Sequence, residues 1–144
     1  MLVRDVMTRD PVTVGPEEPI GAALELMRVG RFRHLPVVEG DRLVGIITDR
    51  DLRLATNSPL VLREKWYSDF ILESIKVKAC MTSDPITVTP DTPLLDAALI
   101  IQERRFGSLP VVEAGKLVGI LTETDLLATL IRLLREQQHA ASAG

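Results

Sequence analysis

Hydrophobic and polar positions follow one series of patterns along the chain, and that series occurs twice. In its first occurrence, Leu35–Glu39 and Arg42–Ile47 are almost continuously apolar, which predicts strands covered on both faces. Gly40-Asp41 between them predicts a tight hairpin turn. Residues 20–29 carry apolar side chains at helical spacing behind Pro19, a residue that suits the first turn of a helix. The central part of the series is therefore a helix followed by a β-hairpin.

A short strand before this unit and a second helix after it complete the series. Pro11–Val14 predicts the strand, and Thr48-Asp49-Arg50-Asp51 opens the second helix. The predicted order is β-α-β-β-α, which places the chain in the mixed α/β (α+β) class.

The second occurrence is a duplication of the first. Residues 7–52 align with residues 81–126 at a constant offset without a gap, and about half of the aligned positions are identical. We therefore expect one repeat at residues 1–60 and a second at 79–135. Residues 61–78 are predicted to form a connecting helix that packs on the core, and residues 136–144 a flexible tail after a helix that ends near Arg135. The amphipathic stretch of the connector contains Trp66, Tyr67, Phe70, Ile71, Leu72 and Ile75.

Composition narrows the classes of protein to which this chain can belong. Hydrophobic residues make up 46% of the chain and aromatic residues only 3%, so the expected core is aliphatic. No apolar run reaches the ~20 residues of a membrane helix, and no signal peptide is visible. A single cysteine and a net charge of −3 favour a reducing, cytoplasmic location and oppose nucleic-acid binding. The two histidines have no partners at metal-ligand spacing, so no metal site is expected.

Three sequence elements occur in the same order in both repeats: Met-Thr-x-x-Pro, Leu-Pro-Val-Val, and Gly-Ile-Ile-Thr-x-x-Asp or Gly-Ile-Leu-Thr-x-x-Asp. Together these elements resemble the CBS domain. The layout is similar to stand-alone CBS pairs of bacteria and archaea, including the acetoin-utilisation type. The resemblance implies two repeats packed through their sheets with pseudo-twofold symmetry, called a Bateman module. It also implies adenosine-containing ligands (AMP, ADP, ATP or S-adenosylmethionine) in clefts between the repeats, with no required cofactor and no catalytic residue.

The Thr48-x-x-Asp51 and Thr122-x-x-Asp125 elements have two interpretations. Either is explained by a capping box, in which the threonine and the acidic residue satisfy each other's backbone amides. The helix start could also receive a phosphate, and the carboxylate could accept two ribose hydroxyls. The family resemblance implies this second role for Asp51 and Asp125, and capping does not exclude it.

Basic residues suggest that the two clefts differ. Arg33, His34 and Arg50 are expected to converge on phosphate beside Asp51, although a solvated turn also explains the first two. The second repeat has Gly107 and Ser108 at the positions of Arg33 and His34, and its Glu123-Thr124 replaces Asp49-Arg50. We therefore expect the Asp51 cleft to bind the phosphate-bearing ligand first.

The remaining contacts are those that the resemblance places around the adenine. They come from the opposite repeat, although the small alanines among them also suit close helix packing. The complete expected main cleft is Arg33, His34, Leu35, Pro36, Thr48, Asp49, Arg50, Asp51, Thr87, Val88, Thr92 and Ala97. The expected second cleft is Ser108, Leu109, Pro110, Thr122, Thr124, Asp125, Thr13, Val14 and Ala23, with Glu18 beside it.

The functional hypothesis is a regulatory module that senses an adenine nucleotide and acts on an unknown partner protein, without enzymatic activity. The alternative is a ligand-free module that only dimerises or acts as a scaffold. Helices 20–29 and 94–103 are apolar around much of their circumference, the second more so. Because a small monomer rarely exposes such a surface, we expect a homodimer through these helices.

Overall fold

The computed structural model describes residues 1–56 and 65–143. Residues 61–64 of the expected connector lie outside these ranges, as do the side chains of Trp66 and Tyr67. The described helices, after a short 3-10 turn at Val3–Asp5, are α1 (Ile20–Gly30), α2 (Asp49–Thr56), α3 (Lys65–Ser74), α4 (Val77–Cys80), α5 (Leu94–Arg104) and α6 (Glu123–Ala143). The described strands are β1 (Thr8–Arg9), β2 (His34–Glu39), β3 (Arg42–Thr48), β4 (Thr82–Ser83), β5 (Ser108–Glu113) and β6 (Lys116–Thr122).

Two antiparallel hairpins form the centre of the fold, one from each repeat. In the first, β2 pairs with β3, and in the second, β5 pairs with β6. Gly40 closes the first hairpin with a φ of +64°, a conformation that glycine adopts without strain. The hairpins join where Arg42 on β3 pairs with Lys116 on β6. The expected fold class, with helices around an antiparallel sheet and two similar halves, is confirmed.

The repeats exchange their opening segments. Strand β1, at the start of the first repeat, pairs with β6 of the second, and β4 pairs with β3 of the first. The cores are exchanged in the same way: Val3 is fully buried in the second repeat's core, and Val77 in the first repeat's core. Each repeat therefore depends on the other for a strand and for part of its apolar interior.

The connector after the undescribed residues packs on the first repeat. Leu72 and Ile75 contact the first core, whereas Phe70 is exposed. Glu17 holds the end of the connector by accepting hydrogen bonds from Lys76 Nζ at 2.7 Å and Lys78 Nζ at 2.8 Å. These two ammonium groups lower the pKa of Glu17 to about 2.

Two expected elements differ from the structure. The expected strand Pro11–Val14 is not formed; only Val14 makes a bridge, a parallel one to Val37 in β2. The regular strand lies earlier, at β1, where Thr8 and Arg9 pair with Ile120 and Gly119 of β6. Helix α6 continues to Ala143 rather than ending near Arg135, since residues 136–143 contain alanines and other helix-compatible residues without Gly or Pro.

Several helices present apolar side chains to solvent. Leu24 on α1 is 41% exposed, and Leu95 and Leu99 on α5 are 70% and 41% exposed. On α6 the exposed apolar residues are Leu127, Leu130, Ile131, Leu133 and Leu134. None of the described helices is long and apolar enough to span a membrane.

Candidate functional site

Two cavities lie between the repeats and are named here cleft A and cleft B. Cleft A has a volume of about 300 Å³ and cleft B of about 600 Å³. Both fall in the size range of small-molecule sites, roughly 300–1,000 Å³. Cleft A is lined by His34, Ile46, Thr48, Asp49, Arg50, Thr82, Pro85, Ile86, Arg105, Phe106, Gly107, Ser108 and Pro110. Cleft B is lined by Thr8, Asp10, Pro11, Val12, Arg31, Phe32, Arg33, His34, Gly107, Ile120, Thr122, Glu123, Thr124 and Asp125.

The two clefts are built from equivalent parts. In cleft A, the start of α2 in the first repeat faces the turn at residues 105–108 of the second. In cleft B, the start of α6 in the second repeat faces the turn at residues 31–34 of the first. The opening segment that each repeat gives to its neighbour's sheet forms a further wall. Every cleft is therefore a junction of both repeats, and a molecule bound there contacts both.

Capping boxes fix the helix starts at the clefts. The Thr122 N–H donates to Asp125 Oδ2 at 2.9 Å, and the Asp125 N–H donates to Thr122 Oγ1 at 3.2 Å. Thr48 and Asp51 make the same pair of bonds at the same distances. In cleft B, Asp125 Oδ1 also accepts from Thr8 Oγ1 at 3.1 Å. The capping interpretation is thus correct, and Asp125 combines capping with a place on the cleft wall.

Arginines contribute positive charge to both clefts. Arg50 and Arg105 line cleft A, and Arg31 and Arg33 line cleft B. Within residues 1–56 and 65–143, none of these four guanidinium groups forms an ion pair with a carboxylate. Both clefts can therefore offer a guanidinium to an anion.

Arg31 and Arg105 have an unusual backbone conformation. They cap the C-termini of α1 and α5 with φ values of +58° and +56°, in the left-handed region that glycine normally occupies. The aligned repeats thus place an arginine at a helix end where glycine would be less strained. Residues held in such conformations cluster at functional sites, so Arg31 and Arg105 are candidates for a functional role.

A buried hydroxyl in cleft A has no hydrogen-bond partner among the described residues. Ser108 is only 6% exposed, and its Oγ forms no hydrogen bond with any described residue. A buried polar group without a partner costs free energy, so such groups are rare in folded proteins. Ser108 is a lining residue of cleft A, and a ligand that reached its buried Oγ would supply the missing partner.

Apolar side chains supply a surface for a flat ring in each cleft. Cleft A has Ile46, Pro85, Ile86 and Phe106, and cleft B has Pro11, Val12, Phe32 and Ile120. The described part of the chain contains no group of three or more His, Cys, Asp or Glu side chains that could hold a metal ion. The described cleft walls supply groups for hydrogen bonding, charge pairing and apolar contact.

Comparison with known proteins decides the family. The CBS domain family matches residues 3–57 and 77–132. The chain belongs to the CBS domain family. A CBS domain-containing protein of Dictyostelium discoideum is 36% identical over 136 residues, which cover 93% of this chain and 94% of the relative. The resemblance inferred from the repeated sequence elements is confirmed.

Crystal structures of other CBS proteins share this fold. A Vibrio cholerae protein named for acetoin utilization, AcuB, is 33% identical with a TM-score of 0.82, covering 96% of each chain. CBSX2 in complex with AMP is 33% identical with a TM-score of 0.76, covering 92% of this chain and 97% of that one. The CBS domain pair of protein MJ0100, in complex with 5′-methylthioadenosine and S-adenosyl-L-methionine, is 26% identical with a TM-score of 0.74, covering 90% and 95%.

The expected distribution of cations in this CBS pair needs correction. Arg33 was expected beside Asp51 but lines cleft B, next to the second repeat's Thr-x-x-Asp element. Among the main-cleft residues expected, cleft A contains His34, Thr48, Asp49 and Arg50, whereas Asp51 is not on its described wall. The second repeat's cleft is not short of cations, because the turn that faces α6 comes from the first repeat.

The expected adenine contacts also differ from the cleft walls. Val14, Ala23, Val88 and Ala97 are core residues with at most 5% exposure, and Leu35, Pro36 and Leu109 are buried in the strands. Thr87, Thr92 and Glu18 lie on neither wall, and Thr13 lines a separate cavity of about 200 Å³. The opposite repeat does supply a wall, but through Thr82, Pro85 and Ile86 or their counterparts near Thr8, a few residues earlier than expected.

In the expected second cleft, Thr122, Thr124 and Asp125 line cleft B, whereas Ser108 and Pro110 line cleft A. Arg31 and Arg105 line the clefts but were not among the expected site residues. Their signal was in the alignment, where Arg31-Phe32 and Arg105-Phe106 are identical pairs directly after the first helix of each repeat.

Proposed function

We propose that this CBS pair binds adenosine-containing nucleotides in clefts A and B and thereby regulates a partner protein. The observation that carries the proposal is the composition of each cleft wall. Each wall joins a Thr-x-x-Asp helix start from one repeat to an arginine in the left-handed conformation from the other, beside an apolar surface. Support comes from related CBS proteins that were crystallised with AMP, 5′-methylthioadenosine and S-adenosyl-L-methionine.

The proposed nucleotide uses all three kinds of surface. Its base packs on the apolar residues, as in most small-molecule sites. In cleft B, the Asp125 carboxylate accepts hydrogen bonds from the ribose hydroxyls, in exchange for the bond from Thr8. The guanidinium groups of Arg31 and Arg33 hold the phosphate, for which arginine is suited by its planar donor geometry. In cleft A, Arg50 and Arg105 hold the phosphate and the Ser108 hydroxyl gains a partner.

We expect cleft B to fill first, in contrast to the order that the sequence favoured. Its volume is twice that of cleft A, and its wall includes the carboxylate of the Thr-x-x-Asp element. The negative charges of Asp10 and Glu123 on the same wall oppose the phosphate. Arg31 and Arg33, which form no ion pair with a described residue, offset them.

Isothermal titration calorimetry with AMP, ATP and S-adenosylmethionine tests the proposal. Asp125→Asn keeps an acceptor for the Thr122 amide but removes the charge, and Asp51→Asn is the matched control in the other capping box. Hydrogen bonds to charged groups are worth roughly 1.5–3 kcal/mol, so Asp125→Asn should weaken the tighter site at least about tenfold. The control should affect the tighter site less. Equal affinity of the wild type and Asp125→Asn, or no heat with any of the three ligands, would refute the proposal.

We also propose that the protein forms a homodimer through α1 and α5. Leu24, Leu95 and Leu99 are exposed on these helices, and their association would remove this apolar surface from water. These exposed leucines are equally compatible with a ligand-free scaffold that only dimerises. Thermal unfolding separates the two possibilities, because a nucleotide that binds only the folded state must raise the melting temperature.

A further inference from the structure

One imidazole forms part of both clefts. His34 lies at the start of β2 and lines cleft A and cleft B, as does Gly107 of the second repeat. The two residues are in contact: a Cβ placed on Gly107 would lie 2.4 Å from His34 Cε1 and 2.5 Å from Nε2. The missing side chain of Gly107 is therefore what allows the imidazole to occupy the wall between the clefts.

This wall departs from the symmetry of the repeats. Gly107 is the aligned counterpart of Arg33, and Ser108 that of His34. A symmetric protein would have two imidazoles here, one from each repeat. This chain has a single titratable side chain shared by two sites, opposed by a glycine and a serine.

Charged groups surround His34 on several elements. Burial lowers the pKa of His34 below its usual value, and Arg33 adds to this, whereas Asp49, Glu123 and Asp51 act in the opposite direction. In the free protein the neutral imidazole is therefore favoured near neutral pH. The charged residues on the walls that His34 shares are Asp10, Arg31, Arg33, Asp49, Arg50, Arg105, Glu123 and Asp125.

We propose that His34 couples the two clefts through one shared proton: an anionic nucleotide in either cleft draws a proton onto this imidazole. The inference rests on the proposed function. An anion within a few ångströms favours the charged form of a histidine and raises its pKa, typically by about 1–3 units when close. By linkage, protonation of His34 strengthens anion binding in both clefts to the same extent that each anion favours protonation.

Two measurable consequences follow from a single shared proton. The proton uptake due to His34 on filling both clefts cannot exceed one per chain, because an imidazole accepts a single proton. Coupling between the clefts is confined to the pH range in which His34 titrates, since a group that is always neutral or always charged transmits nothing. Within that range, each unit of pKa shift corresponds to about a tenfold change in affinity.

Calorimetry with AMP, near neutral pH in two buffers of different ionisation enthalpy, measures the uptake. The AMP phosphate itself titrates near pH ~6, so the decisive quantity is the difference between wild type and His34→Gln. We expect uptake below one proton in total and lost in the variant. Uncharged adenosine should cause none. His34→Ser, which places the second repeat's residue at this position, is a second variant, and His139→Gln on exposed α6 is the control for the other histidine.

The outcomes separate this inference from the proposed function. AMP binding with equal proton uptake in wild type and His34→Gln overturns the coupling alone. A difference of more than one proton between the two proteins does the same. Absence of AMP binding in the wild type overturns the proposed function and the coupling with it. Loss of uptake in both His34 variants, with uptake in His139→Gln equal to that of the wild type, supports the coupling. Thermal unfolding of the variants without ligand verifies that they are folded.

Discussion

Replacement of Arg31 separates the cost of its backbone conformation from the benefit of its side chain. Arg31 ends α1 with a φ of +58° and lines cleft B. Arg31→Ala removes the guanidinium but keeps a side chain in the left-handed region. Arg31→Gly removes the guanidinium and also the strain. Both variants lose any interaction of the cation with the helix dipole, so the difference between them isolates the backbone term.

The magnitude follows from two opposing contributions. The left-handed conformation costs a residue other than glycine roughly 1–2 kcal/mol. Glycine loses more backbone entropy on folding, and this loss offsets roughly 0.5–1 kcal/mol of its conformational advantage. Arg31→Gly should therefore be more stable than Arg31→Ala by about 0.5–1 kcal/mol. For a chain of this size, that difference raises the melting temperature by roughly 2–4 °C.

Ligand binding should respond differently from stability. Both variants lose the charged contacts to phosphate, so AMP affinity of the tighter site should fall at least about tenfold in each. Arg31→Lys, which keeps the charge but not the planar guanidinium, should retain part of the AMP affinity. Differential scanning calorimetry without ligand and titration with AMP measure the two effects separately. Equal melting temperatures for the Gly and Ala variants would refute the strain argument, and unchanged AMP affinity would refute the role of Arg31 in cleft B.

Two further predictions concern cleft A and the helix surface. Ser108→Ala removes a buried hydroxyl that has no partner among the described residues. The free protein should therefore gain about 1 kcal/mol of stability, while its weaker nucleotide site loses affinity. A destabilised Ser108→Ala protein in denaturant titrations would mean that the hydroxyl has a partner. Leu95→Glu places a charge on a residue that is 70% exposed on α5, so it should convert the proposed dimer to a monomer in sedimentation equilibrium while the fold is retained. The same measurement on Leu54→Glu, an equally exposed leucine on α2, is the control, and a wild-type protein that is already monomeric at micromolar concentration would exclude the dimer.

The duplication made most of the fold predictable from this sequence. The hairpins were predictable because their apolar strands flank turn residues, and the Thr-x-x-Asp helix starts because a capping box is a local feature. Helix α1 was bounded closely by Pro19 and the end of its apolar periodicity. These elements depend on residues within a few positions of one another, so a single sequence contains enough information to place them.

The sequence alone did not reveal with which repeat each short opening segment pairs. Thr8 and Thr82 have the same local pattern whether they pair within their own repeat or across to the other. The structure places Arg33 on the wall of cleft B with Asp125, and Arg50 on the wall of cleft A. A local reading of the basic residues grouped Arg33 with Asp51 because it does not include contacts between the repeats. The αL conformation of Arg31 and Arg105 was equally hidden, because arginine carries no propensity for it.

The exchanged segments also bear on how occupancy of a cleft could reach a partner. A module that regulates by ligand binding needs two conformations for which the ligand has different affinities. Here α1 and α5 end at Arg31 and Arg105, on the walls of clefts B and A, and the same helices carry the exposed Leu24 and Leu95. On the proposed function, a phosphate that fixes these arginines fixes the C-terminal ends of both helices relative to the opposite repeat. Ligand binding and association are then linked thermodynamically through the same two helices, so a nucleotide that strengthens the dimer must bind the dimer more tightly than the monomer.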